Sequence, residues 1–482
     1  MCGTEQGHPM SPELFKCYIN DLSQELNDLD NIAVPTLDGL KVSHLLWADD
    51  LILMALNRSD LQALLNILLQ HCLNWGLSVN ISKTAVMVFN KTGRLLKDSH
   101  GLMYGDQPLP SVREYCYLGI VFTLNGSLIT AQQRLRQKGL RSYFSIKSMI
   151  DVRMLKKTTI FKLFDALIKP VVAYGCAVWF SETWIVRNIA EHRTGERLSV
   201  IAKDPLERLH LSFLKWTIGV SRKTSNAAVW GDSGRDPLAI DLSKQVFNYL
   251  QRLEAMDANN CNNLVTYAFR EQKALNLTWY SRLSEFLRVL QSHSATVLNY
   301  PSKIRTQFKK MFDDIWNTDR STNKKLQFYN SIKSSFEAEE YISIHMDRED
   351  QKRLAQFRMS SHKYRIETGR YGHDRDSVLS RICPNCSSDD KDILFMLNES
   401  PFFEPIVENE QHILNKCQFY QDIRLKLKKA IKDLLNTNDG LSKVFESSVL
   451  VRDLAKYLRR CHNLRFPKKK LTEDNGKKKR GL

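Results

Sequence analysis

The chain has 482 residues, 43% hydrophobic and 26% charged, enough apolar material for two to four domains with their own cores, which excludes a disordered tail. Its formal net charge is +17, from 70 Lys+Arg against 53 Asp+Glu, a balance that points to a polyanionic partner such as nucleic acid or an anionic membrane surface. The charge is uneven: residues 1–120 hold 8 basic and 13 acidic side chains, so the basic surface is expected downstream of them.

The first predicted element is a helix over SPELFKCYINDL. Ser11 can cap it, Pro12 suits its first turn, and Leu14, Phe15, Tyr18, Ile19 and Leu22 form one apolar stripe. Lys41–Leu46 and Leu51–Ala55 read as two strands joined at Ala48-Asp49-Asp50. An amphipathic helix, Leu61–Leu77, follows, then a strand region over Val79–Phe89 and a short strand over Tyr115–Thr123. From Thr130 to Lys169 the period is helical, and ten basic residues (Arg134, Arg136, Lys138, Arg141, Lys147, Arg153, Lys156, Lys157, Lys162, Lys169) face only two acids. This segment is expected to face a polyanion.

The longest apolar run, Ala166–Phe180, is broken by Lys169 and Pro170 and falls short of the roughly 18–20 uncharged residues of a membrane span. No membrane association is therefore expected. Farther on, Ile304, Phe308, Met311, Phe312, Ile315 and Trp316 share one helical face, and Leu326, Tyr329, Ile332 and Phe336 another. Both read as core. The tail from Pro467 carries two basic clusters, Lys468–Lys470 and Lys477–Arg480, spaced like a bipartite nuclear-import signal, so nucleus or cytoplasm is the expected location.

Two patterns carry chemistry. Asp49 and Asp50 at a tight turn are either a solvated hairpin tip or hard oxygen donors for a divalent cation. Cys383, Cys386, His412 and Cys417 follow the spacing C-x2-C-x25-H-x4-C, three thiolates and an imidazole suited to a closed tetrahedral Zn²⁺ site. Cys461 and His462 are competing ligands, weaker because adjacent residues seldom reach one metal together. The ten cysteines, with the polar start Met1-Cys2-Gly3-Thr4-Glu5, suit a reducing compartment rather than a disulfide framework. Arg381 to Tyr420 is polar enough that metal should be needed for it to fold.

The ordered set GTEQGHPMSPELFKCYINDL, LLWADDLILMA, GLSVNISKTAVMVF and YLGIVF, continued by FDALIKPVVAYGCAVW, DPLERLHLSFLKWTIGV and FRMSSHKYRIETGRY, resembles the C-terminal part of a reverse transcriptase from non-LTR (LINE-type) retrotransposons. The resemblance implies an RNA-directed DNA polymerase working on an RNA template and DNA primer with two Mg²⁺ ions. It makes Asp49 and Asp50 metal-binding palm aspartates, and Lys83 the general acid toward the pyrophosphate leaving group. It places Gln6 and Gly7 beneath the templating base and incoming nucleotide, Trp47 (where Tyr or Phe is usual) near the primer end, and Tyr117, Leu118 and Gly119 in the primer grip. Family members carry a further metal-binding aspartate on an earlier strand. The sequence starts five residues before Gln6, so the chain alone is expected to be inactive, either a polymerase that needs upstream sequence or a non-catalytic nucleic-acid-binding remnant.

The expected fold is α+β. A partial palm (1–125) precedes a basic helical thumb-like region (126–260), a helical connector (261–350), a C-terminal region with the CCHC module (351–460) and a basic tail (461–482). Among the basic residues, Arg134, Arg136, Lys138, Arg141, Lys147, Lys156 and Lys157 are the expected nucleic-acid contacts.

Overall fold

The computed structural model describes residues 8–28, 31–95, 101–149, 151, 155–183, 197–292, 301–370, 381–386, 406–437 and 440–467. Gln6, Gly7, Arg153, the basic tail clusters and much of the loop between Cys386 and His412 lie outside these residues. The chain divides into two compact units. One comprises Met1–Gln137, Ala173–Trp184 and Asp241–Gln307; the other Lys138–Val172, Ile185–Ile240 and Phe308–Leu482.

In chain order the principal elements begin with α1 (Ser11–Asn27), β1 (Thr36–Leu37), β2 (Leu40–Lys41), β3 (His44–Trp47), β4 (Asp50–Leu53) and α2 (Arg58–Trp75). Then come β5 (Met103–Tyr104), β6 (Gln107–Pro108), β7 (Glu114–Tyr117), β8 (Ile120–Thr123) and α3 (Ile129–Met149). The rest is helical: α4 (Lys157–Leu163), α5 (Cys176–Thr183), α6 (Pro205–Ile218), α7 (Asn226–Ser233), α8 (Leu238–Ala258), α9 (Leu264–Ala274) and α10 (Thr278–Ser292), followed by α11 (Pro301–Thr322), α12 (Arg348–Arg358) and α13 (Ser448–Arg465). The architecture is thus mixed, mainly helical with small sheets. Among the described residues every sheet is a two-stranded antiparallel hairpin, pairing β1 with β2, β3 with β4, β5 with β6 and β7 with β8.

In the first unit α1 starts at Ser11 itself, with Met10 at the cap position and no side-chain cap. Leu22 and Leu26 are buried against Leu64, Leu68 and Cys72 of α2, with Ile19, Leu51, Leu53 and Ala55 packed alongside. Leu14 and Tyr18, expected on the same stripe, are exposed, so only the C-terminal half of that stripe enters the core. Helix α2 is bounded as its sequence dictates, by Asn57 accepting from the Asp60 amide and by left-handed Gly76.

Two expectations fail for local reasons. Val79–Phe89 is not a strand: it contains a 3-10 turn over Ile81–Lys83 and a lone bridge from Val86 to Ser111. Asn80 organises that turn, accepting from Ser82 Oγ through its side chain and from Thr84 Oγ1 through its carbonyl, and such bonds compete with a strand ladder. Tyr115–Thr123 is a hairpin rather than one strand, because Leu118 and Gly119 both take positive φ (46° and 82°), the geometry of a tight two-residue turn.

In the second unit Phe308, Phe312, Trp316 and Tyr329, expected as core, are buried, whereas Phe336 is half-buried against Phe312 and Trp316. Trp316 is fully buried and donates to the Ala227 carbonyl at 2.8 Å, and Tyr329 donates to that of Ala228 at 3.3 Å. Gly231 of α7 lets both approach, since a Cβ there would overlap the Tyr329 hydroxyl and the Trp316 ring. Beside them Arg358 of α12, fully buried, bonds Asp232 at 3.1 and 3.3 Å and Glu339 at 2.8 Å. Its guanidinium also lies 4.1 Å over the Phe445 ring. Helices α12 and α13 pack against each other. No single described helix is long and apolar enough to cross a membrane.

Candidate functional site

The β3–β4 hairpin pairs Trp47 with Asp50, leaving Ala48 and Asp49 as its two-residue turn. Ala48 adopts φ 51°, a left-handed conformation that an L-residue with a Cβ takes at a cost of roughly 1–2 kcal/mol. The tip thus carries local strain, and it presents Asp49 and Asp50 to solvent with Trp47, 66% exposed, beside them. Asp50 belongs to the strand rather than to the turn. Neither acid is ion-paired among the described residues. Both are oxygen donors of the type Mg²⁺ accepts, but among the described residues no third His, Cys, Asp or Glu joins them in a metal-sized group.

The β7–β8 hairpin belongs to the same unit, and the Asp50 carboxylate acts on its Tyr117. The Tyr117 phenol is raised above its ordinary pKa first by burial and then by that charge. The tip of this second hairpin is held by a residue that sequence reasoning passed over. Tyr174 donates its hydroxyl to the Leu118 carbonyl at 2.8 Å, its ring filling the space a Cβ on Gly119 would need. Tyr115 donates to the Lys83 carbonyl at 2.9 Å, fixing the turn that bears Lys83. The Lys83 side chain is exposed, with no ion pair among the described residues.

The basic segment separates into several kinds of residue. Lys138, Arg141 and Lys147 of α3, with Lys156 and Lys162, are exposed, and Phe144 between them is 57% exposed. Arg134 pairs with Glu114 at 2.5 Å, and Arg136 is half-buried and engaged. Lys157 is not among the exposed basic side chains. It is 5% exposed, and its Nζ donates to the carbonyls of Thr217 at 2.9 Å and Ile218 at 3.2 Å. These are carbonyls in the last turn of α6, which lack intrahelical donors, and burial lowers the lysine to about 7.

The third constellation is the Cys/His cluster. The ligand atoms of Cys383, Cys386, His412 and Cys417 all lie within 4.8 Å of one another. The sulfur of Cys417 is 3.9 Å from that of Cys383 and 3.5 Å from that of Cys386, close to the roughly 3.8 Å edge of a tetrahedral site with metal–sulfur bonds near 2.3 Å. A tight turn brings Cys383 and Cys386 together, with the Cys386 amide on the Cys383 carbonyl at 3.2 Å. A π-helical turn over His412–Lys416 does the same for His412 and Cys417.

Cys383 is pushed up to about 12 by its hydrogen bond to Cys417 and by burial, while the same bond lowers Cys417. Ionising Cys417 thus opposes ionising Cys383 until a cation joins the pair. Among the described residues, His412 Nε2 is buried with no hydrogen-bond partner outside the cluster. Cys461 and His462 lie on α13 outside the four-ligand group. Arg424, which the spacing did not reveal, locks the ligand segment by donating to the carbonyls of Leu414 at 2.8 Å and Cys417 at 2.7 Å.

One expectation needs correction here. The segment around the cluster is not short of core, because Ile413, Leu414 and Tyr420 are buried and Tyr457 of α13 donates to the Ile413 carbonyl at 2.9 Å. The cluster is therefore rooted in the helical core rather than forming a free-standing knuckle.

Residues 1–122 match the family model of the reverse transcriptases (RNA-dependent DNA polymerases). Over 162 residues the chain is 28% identical to a putative uncharacterized transposon-derived protein of Caenorhabditis elegans, a match covering 33% of this chain and 57% of that protein. Over 135 residues it is 31% identical to a retrovirus-related Pol polyprotein from a type-2 retrotransposable element of Drosophila melanogaster, covering 26% of this chain and 12% of the polyprotein. The chain thus spans little more than half of one relative and a small part of the other.

Proposed function

We propose that this chain, whose residues 1–122 match the reverse transcriptase family and whose relatives are a transposon-derived protein and a retrotransposable-element Pol polyprotein, is a LINE-type reverse transcriptase module that holds a primer end on its RNA template. The observation that carries the reading is that the Asp49–Asp50 tip and the Tyr117–Gly119 hairpin share one unit of the RT-like segment, with Tyr117 within the field of Asp50.

In a complete site of this kind Asp49 and Asp50 would face the cations and Lys83 would stand as proton donor to the leaving group, while Trp47, Tyr117, Leu118 and Gly119 position the primer. Gln6 and Gly7 underlie the templating base by resemblance alone. Exposed Lys138, Arg141, Lys147 and Lys156 contact phosphates of RNA or DNA, a sequence-independent role. Mg²⁺, when bound in such a site, stabilises the attacking and leaving oxygens of a nucleotidyl transfer. Two exposed carboxylates with no third acid in reach among the described residues do not by themselves fit that two-ion site. The chain alone is accordingly a nucleic-acid binder with at most background polymerase activity.

The Cys383–Cys386–His412–Cys417 set fits Zn²⁺ in a structural role, since thiolates and imidazole fill all four tetrahedral positions. Domain limits of 1–125 for the palm, 126–260 for the thumb-like region and 261–350 for the connector, and nuclear import through the tail, belong to the same proposal. The test is extension of a primed RNA template by the purified chain with Mg²⁺ or Mn²⁺. Background incorporation is expected; template-dependent incorporation that disappears in Asp49→Ala would overturn the inactivity.

A further inference from the structure

In the second unit, Lys156, Lys157, Thr217, His345 and Arg348 line a small cleft of about 20 Å³, open at its mouth, together with Gln351 and apolar groups. No acidic residue lines it. Lys157 is buried at its floor, and its Nζ is held by two backbone carbonyls rather than by a carboxylate. Lys156, His345 and Arg348 have no ion-pair partner among the described residues.

The acids nearest Arg348 in sequence are committed elsewhere. Asp347 accepts from the amides of Glu349 and Asp350 and from Arg459 at 2.8 Å. Glu349 pairs with Lys352 and Arg353, and Asp350 with Arg459. A second, independent feature is Thr217: the residue is 1% exposed, and its hydroxyl is buried without a hydrogen-bond partner among the described residues while the residue lines the cleft. A buried hydroxyl with nothing to bond is costly unless a ligand or solvent satisfies it.

We infer that this cleft is a binding site for a phosphate group, taken by the Lys157 ammonium, the Thr217 hydroxyl and the Arg348 guanidinium, with Lys156 and His345 at the mouth. Arginine suits the planar, two-oxygen recognition of phosphate, and lysine supplies a point charge. Burial holds the Lys157 amine to about 7, and an anion in the cleft restores its charge. The phosphate is either one of a nucleic-acid backbone or that of a small phosphate ester. The site stands whether or not the polymerase reading does.

The test is calorimetric titration of the full chain with inorganic phosphate at ionic strength held constant with chloride. One site per chain is expected. Binding should weaken at least tenfold in the double variant K156Q/R348Q, whose side chains are exposed or half-buried, and several-fold in Thr217→Val, which keeps the shape and removes the hydroxyl. Lys157 is left in place because its ammonium holds the end of α6. No saturable binding above the chloride background, or binding unchanged in both variants, would overturn the proposal.

A second arm identifies the source with a single-stranded oligonucleotide. Competition by phosphate together with weaker oligonucleotide binding in K156Q/R348Q assigns the site to backbone phosphates. Loss of phosphate binding with unchanged oligonucleotide affinity assigns it to a small ester. Either result supports the site.

Discussion

Replacing Gly119 by Ala tests whether Tyr174 holds the tip of the β7–β8 hairpin. Gly119 sits at φ 82°, where a Cβ would lie 2.9 Å from Tyr174 Cε1. Alanine therefore meets roughly 1–2 kcal/mol of left-handed backbone cost. It also displaces the ring, losing a partly exposed hydrogen bond to Leu118 worth about 0.5–1 kcal/mol. The expected local destabilisation is about 2 kcal/mol, or close to a thirtyfold fall in amide protection at ~1.4 kcal/mol per tenfold.

Tyr174→Phe loses only the hydrogen bond and should cost about 0.5–1 kcal/mol. Because Gly119→Ala already breaks that bond, the double variant should match Gly119→Ala, a coupling of about 0.5–1 kcal/mol. Hydrogen exchange of the amides in 114–123 is the proper readout, since a chain of two compact units need not unfold in one step. Strictly additive costs, or a loss of protection that spares this hairpin, would refute the role given to Tyr174.

Three further outcomes are expected. Chelation should remove one zinc per chain and loosen 381–386 and 406–420 while the α12–α13 pair stays protected and the Asp49 hairpin is untouched; absence of zinc after purification under reducing conditions, or full stoichiometry with Cys383 and Cys386 both replaced, would show the cluster to be coincidental. Changing Lys138, Arg141 and Lys147 together to Gln should flatten the slope of log affinity against log salt by roughly 2–3, at about 0.7–0.9 per lost contact. Lys157 titrates near 7 when folded against 10.5 when unfolded, so the unfolded chain binds more protons between those values. In phosphate-free buffer, stability should rise with pH across that window, by at most about 5 kcal/mol, and the rise should be missing in Lys157→Met; a difference curve that is flat or falls would disprove the assignment.

Much of this protein is legible in the residues alone because the governing signals are local. The Ala48-Asp49 turn lies between two short apolar runs that pair as a hairpin, and the aromatic stripe from Phe308 to Trp316 repeats with the helix and is buried. The four zinc-type ligands could be picked out because chelation chemistry restricts both residue type and spacing. The ordered reverse transcriptase motifs could be picked out for the same kind of reason, as each ties particular residues to one local turn.

What required the tertiary structure is every decision made between distant segments. A run of ten basic residues cannot say which of them is buried, and Lys157 is withdrawn because the end of α6, sixty residues on, needs a donor. Asn80 turns an apparent strand into a 3-10 turn through bonds that alternation does not register. Tyr174 reaches Leu118 across 56 positions. That the four ligands chosen by spacing do meet at one point, with Arg424 locking their segment, required the packing, since spacing fixes what two neighbours can do together and only packing fixes which neighbours meet.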